Sequence, residues 1–230
     1  MKLAQIDTSV YYQTVMPSTK KKTKFRPFSV REEKALLTAQ ESDSVDTMLV
    51  TLEEVIRNCV KDCPAAMTTF DVEYLFLQIR AKSVGEESRI SINCKHCDSP
   101  NIITIDLTKA ELTNSNTNLK IKLNDKLYVK MRYPSILSVA EMSKDNIENQ
   151  TQLAISHSIE CVYFGEEVLR TEDTDFKDLE DFVLNRTDEE LRKLIEFVEN
   201  IPTVKLQHDY ECRECEKPNT VVLTSLADFF

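Results

Sequence analysis

One eight-residue phrase occurs twice in this chain, and it constrains the fold more than any other feature. Cys94-Lys95-His96-Cys97-Asp98-Ser99-Pro100-Asn101 and Cys212-Arg213-Glu214-Cys215-Glu216-Lys217-Pro218-Asn219 share the pattern C-x-x-C-x-x-P-N. Two cysteines separated by two residues on a tight turn aim both sulfurs at one point. Two such turns supply four thiolates, the closed tetrahedral donor set of a structural zinc ion. The residues after each phrase are also alike. Ile103 and Ile105 align with Val221 and Leu223, two apart, so each copy turns the same apolar face of a strand. The sequence therefore predicts a structural Zn2+ on Cys94, Cys97, Cys212 and Cys215, held by two β-hairpins in the manner of a zinc ribbon.

The spacing is unusual, since 114 residues separate Cys97 from Cys212. Loop closure costs only about 0.6 kcal/mol per doubling of length, so the separation is tolerable. An insert this long must nevertheless fold itself or pack on the rest. The ion would then fasten the two ends of that excursion.

Other chemistries fit the cysteines less well. A redox C-x-x-C opens a helix after a strand, whereas here strands are expected on both sides. A catalytic zinc keeps an open position for water, and four cysteines close the shell. Iron–sulfur ligation needs the same four ligands and is the weaker reading. His96 and His208 are expected at the surface or behind the ligands. Cys59, Cys63 and Cys161 fall in apolar surroundings and read as core thiols. His157 stands among helical residues without a nucleophile motif. No H-E-x-x-H or G-x-S-x-G occurs, so no enzyme activity is expected. With only 2 glycines, the phosphate-cradling loops cannot be written either.

The formal net charge of −10 argues against a nucleic-acid backbone partner, which needs a positive surface. The knuckle residues Lys95, His96, Arg213 and Glu214 make no basic stripe. A nucleic-acid-binding zinc-ribbon regulator is thus the alternative rather than the main reading. There is no apolar run long enough for a membrane span. The first residues lack the pattern of a secretory signal. A cytoplasmic, reducing setting is expected, where paired cysteines more often hold metal than form disulfides.

Periodicity divides the chain. Residues 1–27, with Lys20, Lys21, Lys22, Lys24 and Arg26 between two prolines, read as an extended arm suited to an acidic partner surface. Residues 28–87 read as helical: segments near 29–41, 44–60 and 69–83, the first opened by Ser29 and Glu32 in capping-box spacing. Residues 88–230 read as a split ribbon, its halves at 88–108 and 203–225. The insertion, 109–202, carries a β-hairpin turning at Asn124-Asp125 and then helices, one drawn through 148–164 and a later one opened by Thr187 and Glu190. The C-terminal aromatics, Phe229 and Phe230, are expected under the ribbon or on a partner. The fold class is α+β: a mostly helical chain with a ribbon-like hairpin pair split by a long helical insertion.

Phe25-Arg26-Pro27-Phe28, the Glu32-Glu33-Lys34 segment and Asp71 through Gly85 resemble the baseplate hub assembly family of T-even-like contractile-tailed bacteriophages. The resemblance covers about residues 20–225. It implies a role through contacts with other hub or tail proteins, with no small-molecule substrate. It also implies a location in the host cytoplasm during assembly, as an assembly factor that acts transiently or as a structural component that stays in the virion tail baseplate.

Overall fold

The computed structural model describes residues 9–42, 44–113, 118–143 and 149–224. The C-terminal aromatics Phe229 and Phe230 lie outside the described residues.

The chain first forms an antiparallel hairpin of β1 (Tyr12–Val15) and β2 (Lys22–Phe25). For residues 12–25 a hairpin stands where the sequence predicts an extended arm, and residues 1–8 of that arm lie outside the described residues. In β2 the lysines alternate with Thr23 and Phe25, which point inward, and Phe25 is only 1% exposed. A period-two pattern was hidden inside the lysine run, and burial of its apolar half fixes the strand. The hairpin is fastened to the body at both ends. The Lys61 N–H donates to the Lys24 carbonyl at 2.8 Å, and Thr23 Oγ1 donates to the Lys61 carbonyl at 2.5 Å. At the turn, the Ser18 N–H donates to Asp71 Oδ1 at 2.8 Å.

Three helices follow as expected: α1 (Val30–Glu41), α2 (Val45–Cys59) and α3 (Thr69–Ser83). Glu32 accepts from the Ser29 N–H at 2.6 Å at the start of α1. The Ser44 and Thr68 hydroxyls accept from the Thr47 and Asp71 N–H groups and cap α2 and α3. Leu52, Ile56, Leu75 and Ile79 form the centre of a first core, with Phe25, Cys59, Ile105 and Leu206. Cys59 is a buried thiol, pushed up to about 12 chiefly by that burial.

Next come β3 (Glu87–Asn93) and β4 (Pro100–Asp106), an antiparallel hairpin, and the short β5 (Glu111–Leu112). A four-stranded antiparallel sheet occupies much of the insertion, in the order β6 (Lys120–Lys122), β7 (Leu127–Met131), β8 (Ile159–Phe164), β9 (Glu167–Arg170). Between β7 and β8 lie α4 (Ile136–Met142) and α5 (Gln150–Ser158). The helices α6 (Phe176–Leu184) and α7 (Asp188–Glu199) follow β9. Thr187 and Glu190 form the expected capping box. Leu123, Val129, Met131, Ile155, Leu194 and Phe197 define a second core. Tyr133 packs on this second core, stacked on Phe197 at 5.9 Å and edge-on to Phe70 of α3 at 5.0 Å.

The part of the insertion after the expected hairpin is therefore not wholly helical. The helix drawn through 148–164 ends at Ser158, and residues 159–164 are a strand. Ile-Glu-Cys-Val-Tyr-Phe is dense in β-branched and aromatic residues. The Ser156 and Ser158 hydroxyls bond back to Gln152 and Ala154 carbonyls, the competition that weakens a helix near its end. Gly165, at φ 61°, then makes the turn into β9.

The chain returns through β10 (Val204–Glu211) and β11 (Pro218–Leu223). Val204 pairs with Leu112 and Lys205 with Glu111, so backbone bonds zip the two ends of the insertion together. The Thr113 N–H adds a bond to the Thr203 carbonyl at 2.9 Å. Just beside this seam, the Val204 N–H donates to Glu73 Oε2 at 3.1 Å. Burial pushes the Glu73 carboxyl from 4.5 up to about 7, with the Val204 bond opposing. A raised carboxyl pKa means the folded state holds its proton longer than the unfolded chain. Stability from this group is thus full below pH 4.5 and falls as pH rises to about 7. Glu73→Gln keeps an acceptor for Val204 and is expected to stabilise the protein at pH 8 by about 2 kcal/mol. It should do nothing at pH 4; urea titrations at both values check this.

Candidate metal centre

The hairpins β3–β4 and β10–β11 are built alike. The residue before each first cysteine pairs with the proline of its own phrase, Asn93 with Pro100 and Glu211 with Pro218. Ile103, Ile105, Val221 and Leu223 are all buried, as their alignment predicted. Each knuckle closes with the same pair of backbone bonds. The Cys94 N–H donates to the Ser99 carbonyl and the Asp98 N–H to the Cys94 carbonyl, both at 2.9 Å. The Cys212 N–H donates to Lys217 at 3.1 Å and the Glu216 N–H to Cys212 at 3.0 Å. Asp98 and Glu216 hold the left-handed backbone at φ 59° and 57° that such a tight reversal demands.

The two knuckles meet. Sulfurs of Cys94, Cys97, Cys212 and Cys215 all lie within 4.8 Å of one another. Cys94 and Cys215 are 3.7 Å apart, and so are Cys97 and Cys212. A disulfide would need about 2 Å. A tetrahedron with metal–sulfur bonds of about 2.3 Å has edges of about 3.8 Å, so the spacing fits one ion shared by four sulfurs. Cys94 and Cys212 are buried, Cys97 is exposed and Cys215 half-buried. Each knuckle thus turns its first cysteine inward and its second toward solvent.

Two asparagines brace this arrangement reciprocally. Asn101, from the first phrase, accepts from the Arg213 N–H of the second knuckle at 3.0 Å and sets its amide 3.4 Å from Cys212 Sγ. Asn219, from the second phrase, accepts from the Lys95 N–H of the first knuckle at 3.1 Å and sets its amide 3.4 Å from Cys94 Sγ. Each also donates to a carbonyl of its own knuckle, Ser99 or Lys217. Asn101 is 2% exposed and Asn219 5%. Their repetition at the same offset was visible in the sequence, but only the fold shows that each reaches across to the other knuckle.

The donors favour anionic sulfur. The Ser99 hydroxyl at 3.3 Å leads in lowering the Cys212 thiol to about 5, with backbone N–H groups and Asn101 helping. Burial would raise the Cys94 thiol, but N–H groups of His96 and Cys97 and the Asn219 amide bring it below the usual range. Cys215 gains one N–H from Lys217, yet burial and the sulfurs of Cys97, Cys94 and Cys212 push it up to about 12. Four adjacent thiolates repel one another, and a bound cation removes that penalty.

The histidines stand outside the cluster. His96 places Nε2 3.3 Å from the Pro218 carbonyl, and His208 lies in β10 opposite Val221. His157 is half-buried on the ring of Phe176, 4.4 Å between centroids, and burial lowers its pKa.

Asn101→Ala and Asn219→Ala keep all four sulfurs. Loss of outer bonds to metal ligands typically costs 10–100-fold in affinity, and about that loss is expected of each variant in chelator competition for zinc. Unchanged affinity in both would make the amides bystanders.

Fold and site define an α+β chain in which a set of four cysteines joins two distant hairpins around an inserted subassembly. A family model described as T4 bacteriophage base plate protein matches residues 9–230, and the chain belongs to that family. No curated protein and no solved structure matches it.

Proposed function

We propose that this protein is a non-enzymatic component or assembly factor of the baseplate hub, acting through contacts with other hub or tail proteins. The family match over nearly the whole chain carries this reading. In it the protein works in the host cytoplasm during assembly and takes its place in the tail baseplate. The four cysteines hold a structural zinc ion in a split ribbon, with boundaries near 88–108 and 203–225, and that ion stiffens the platform on which contacts are made. Zinc is the metal of choice because an all-thiolate, closed tetrahedral shell suits it and leaves no position for a substrate.

The nucleic-acid alternative gains no support from the knuckles, where Lys95 and Arg213 alternate with Asp98, Glu214 and Glu216. Gel-shift measurements with DNA and RNA at low salt are expected to be negative. The direct test is a tagged copy expressed during infection by a phage that lacks its own. It should restore baseplates and carry down hub proteins at physiological salt. Restored baseplates without any hub protein on the tagged copy, or hubs that assemble normally in its absence, would refute the reading.

A further inference from the structure

The insertion carries a groove of ≈ 930 Å³ between the inner face of the four-stranded sheet and α6. Its floor is apolar: Leu127, Val162, Leu179 and Phe182. Phe164 and Leu169 stand at its mouth, 54% and 58% exposed. Its rim is acidic: Glu167, Glu172, Asp173, Asp175 and Asp178. Among the described residues only Glu172 of these five has an ion-pair partner, Arg170 at 3.7 Å, and both are exposed. The one basic residue of the groove, Arg186, lies 4.2 Å over the Phe182 ring and 3.5 Å from Glu190, so its charge is already engaged.

The complementary surface is on the same chain but on the other core. Lys20, Lys21, Lys22 and Lys24 project from the β1–β2 hairpin into solvent, and among the described residues none has an ion-pair partner. The hairpin cannot release them by unfolding, because Met16 and Phe25 anchor it in the first core. Lysine matches the groove in both respects. Its four-carbon stem covers apolar surface while the ammonium reaches outward to a carboxylate.

We infer that the lysine hairpin of one copy docks in the acid-rimmed groove of a second copy. Two different patches meet in this contact. It therefore builds a reciprocal dimer, a ring or an open chain, according to the rotation between copies. The inference is independent of the hub reading, since it needs no other protein.

Sedimentation velocity of the full chain tests it. Raising salt from about 0.05 M to about 0.5 M shortens the screening length roughly threefold and should weaken self-association at least about tenfold. Two charge-reversed proteins decide the site, one with Glu167→Lys and Asp173→Lys, the other with Lys21→Glu and Lys22→Glu. All four positions are exposed, and unchanged thermal midpoints confirm that each protein folds. Each alone should be monomeric. Mixed, they should associate, because each reversed patch then meets its complement. A wild-type chain that stays monomeric at low salt overturns the proposal, even where the groove binds some other basic protein. So does self-association that survives both reversals, or a mixture of folded variants that fails to associate.

Discussion

Cys97→Ser and Cys212→Ser are each expected to abolish stoichiometric metal binding and to lower the unfolding free energy by several kcal/mol. The reason lies in what surrounds the knuckles. β3–β4 is a sheet of two strands only, and β10–β11 gains just the two residues of β5. Hairpins of that size are marginal alone. Binding of structural zinc is worth about 10–16 kcal/mol in apparent terms, and much of that is folding free energy. A chelator separates metal loss from a packing defect. It should lower the melting temperature of the wild type toward that of the variants and leave the variants unmoved. Equal melting temperatures for wild type and Cys212→Ser, without chelator, would end the argument for a stabilising ion.

The second large effect is expected at Arg26→Ala, at a cost of about 2–3 kcal/mol, below the roughly 3–5 kcal/mol of a fully buried ion pair because the Arg26 side chain is 19% exposed. Arg26 grips Glu32 with both arms, Nη2 to Oε1 at 2.7 Å and Nη1 to Oε2 at 2.9 Å. The same guanidinium donates to the Pro27 carbonyl at 3.0 Å and to the Asn58 carbonyl at 3.1 Å. One side chain thus ties the end of the β1–β2 hairpin to α1 and α2. Removing it strands the Glu32 carboxylate, which is 8% exposed. Arg26→Lys should rescue little, because an ammonium lacks the planar fork.

The pH dependence of this pair is opposite to that of Glu73. Burial would raise the Glu32 carboxyl, but Arg26 and Ser29 hold it at about 2 instead of 4.5. Its contribution is complete above pH 4.5 and disappears as pH falls toward about 2. Arg26→Ala should therefore cost most near neutral pH and least in acid. Guanidinium titrations at pH 7 and pH 2.5 check the sign, and an equal cost at both would contradict it.

What could be read from the sequence differs by element for physical reasons. The helices α1 to α3 were legible because caps and apolar stripes are local signals. The cysteine set was legible because the whole phrase, with its following strand, is written twice. The structure brings together all four predicted sulfurs, although 114 residues lie between Cys97 and Cys212. The β1–β2 hairpin was misread because lysines occupy its outward positions and mimic a solvated arm. β8 was misread because Ile159, Val162 and their neighbours suit a helix face by spacing and a strand by residue type. The crossing of Asn101 and Asn219 to the opposite knuckles was invisible, since it depends on two hairpins meeting in space. Nor does any local pattern mark the groove of the insertion, where sheet and α6 come together only in the tertiary fold.

The central claim is that two remote cysteine pairs share one ion. X-ray absorption at the zinc edge, on protein purified without added metal or chelator, tests it most directly. About one zinc per chain is expected, with four sulfur neighbours at about 2.3 Å and no nitrogen or oxygen in the shell. A metal-free protein, or a zinc shell mixing sulfur with nitrogen or oxygen, would contradict it.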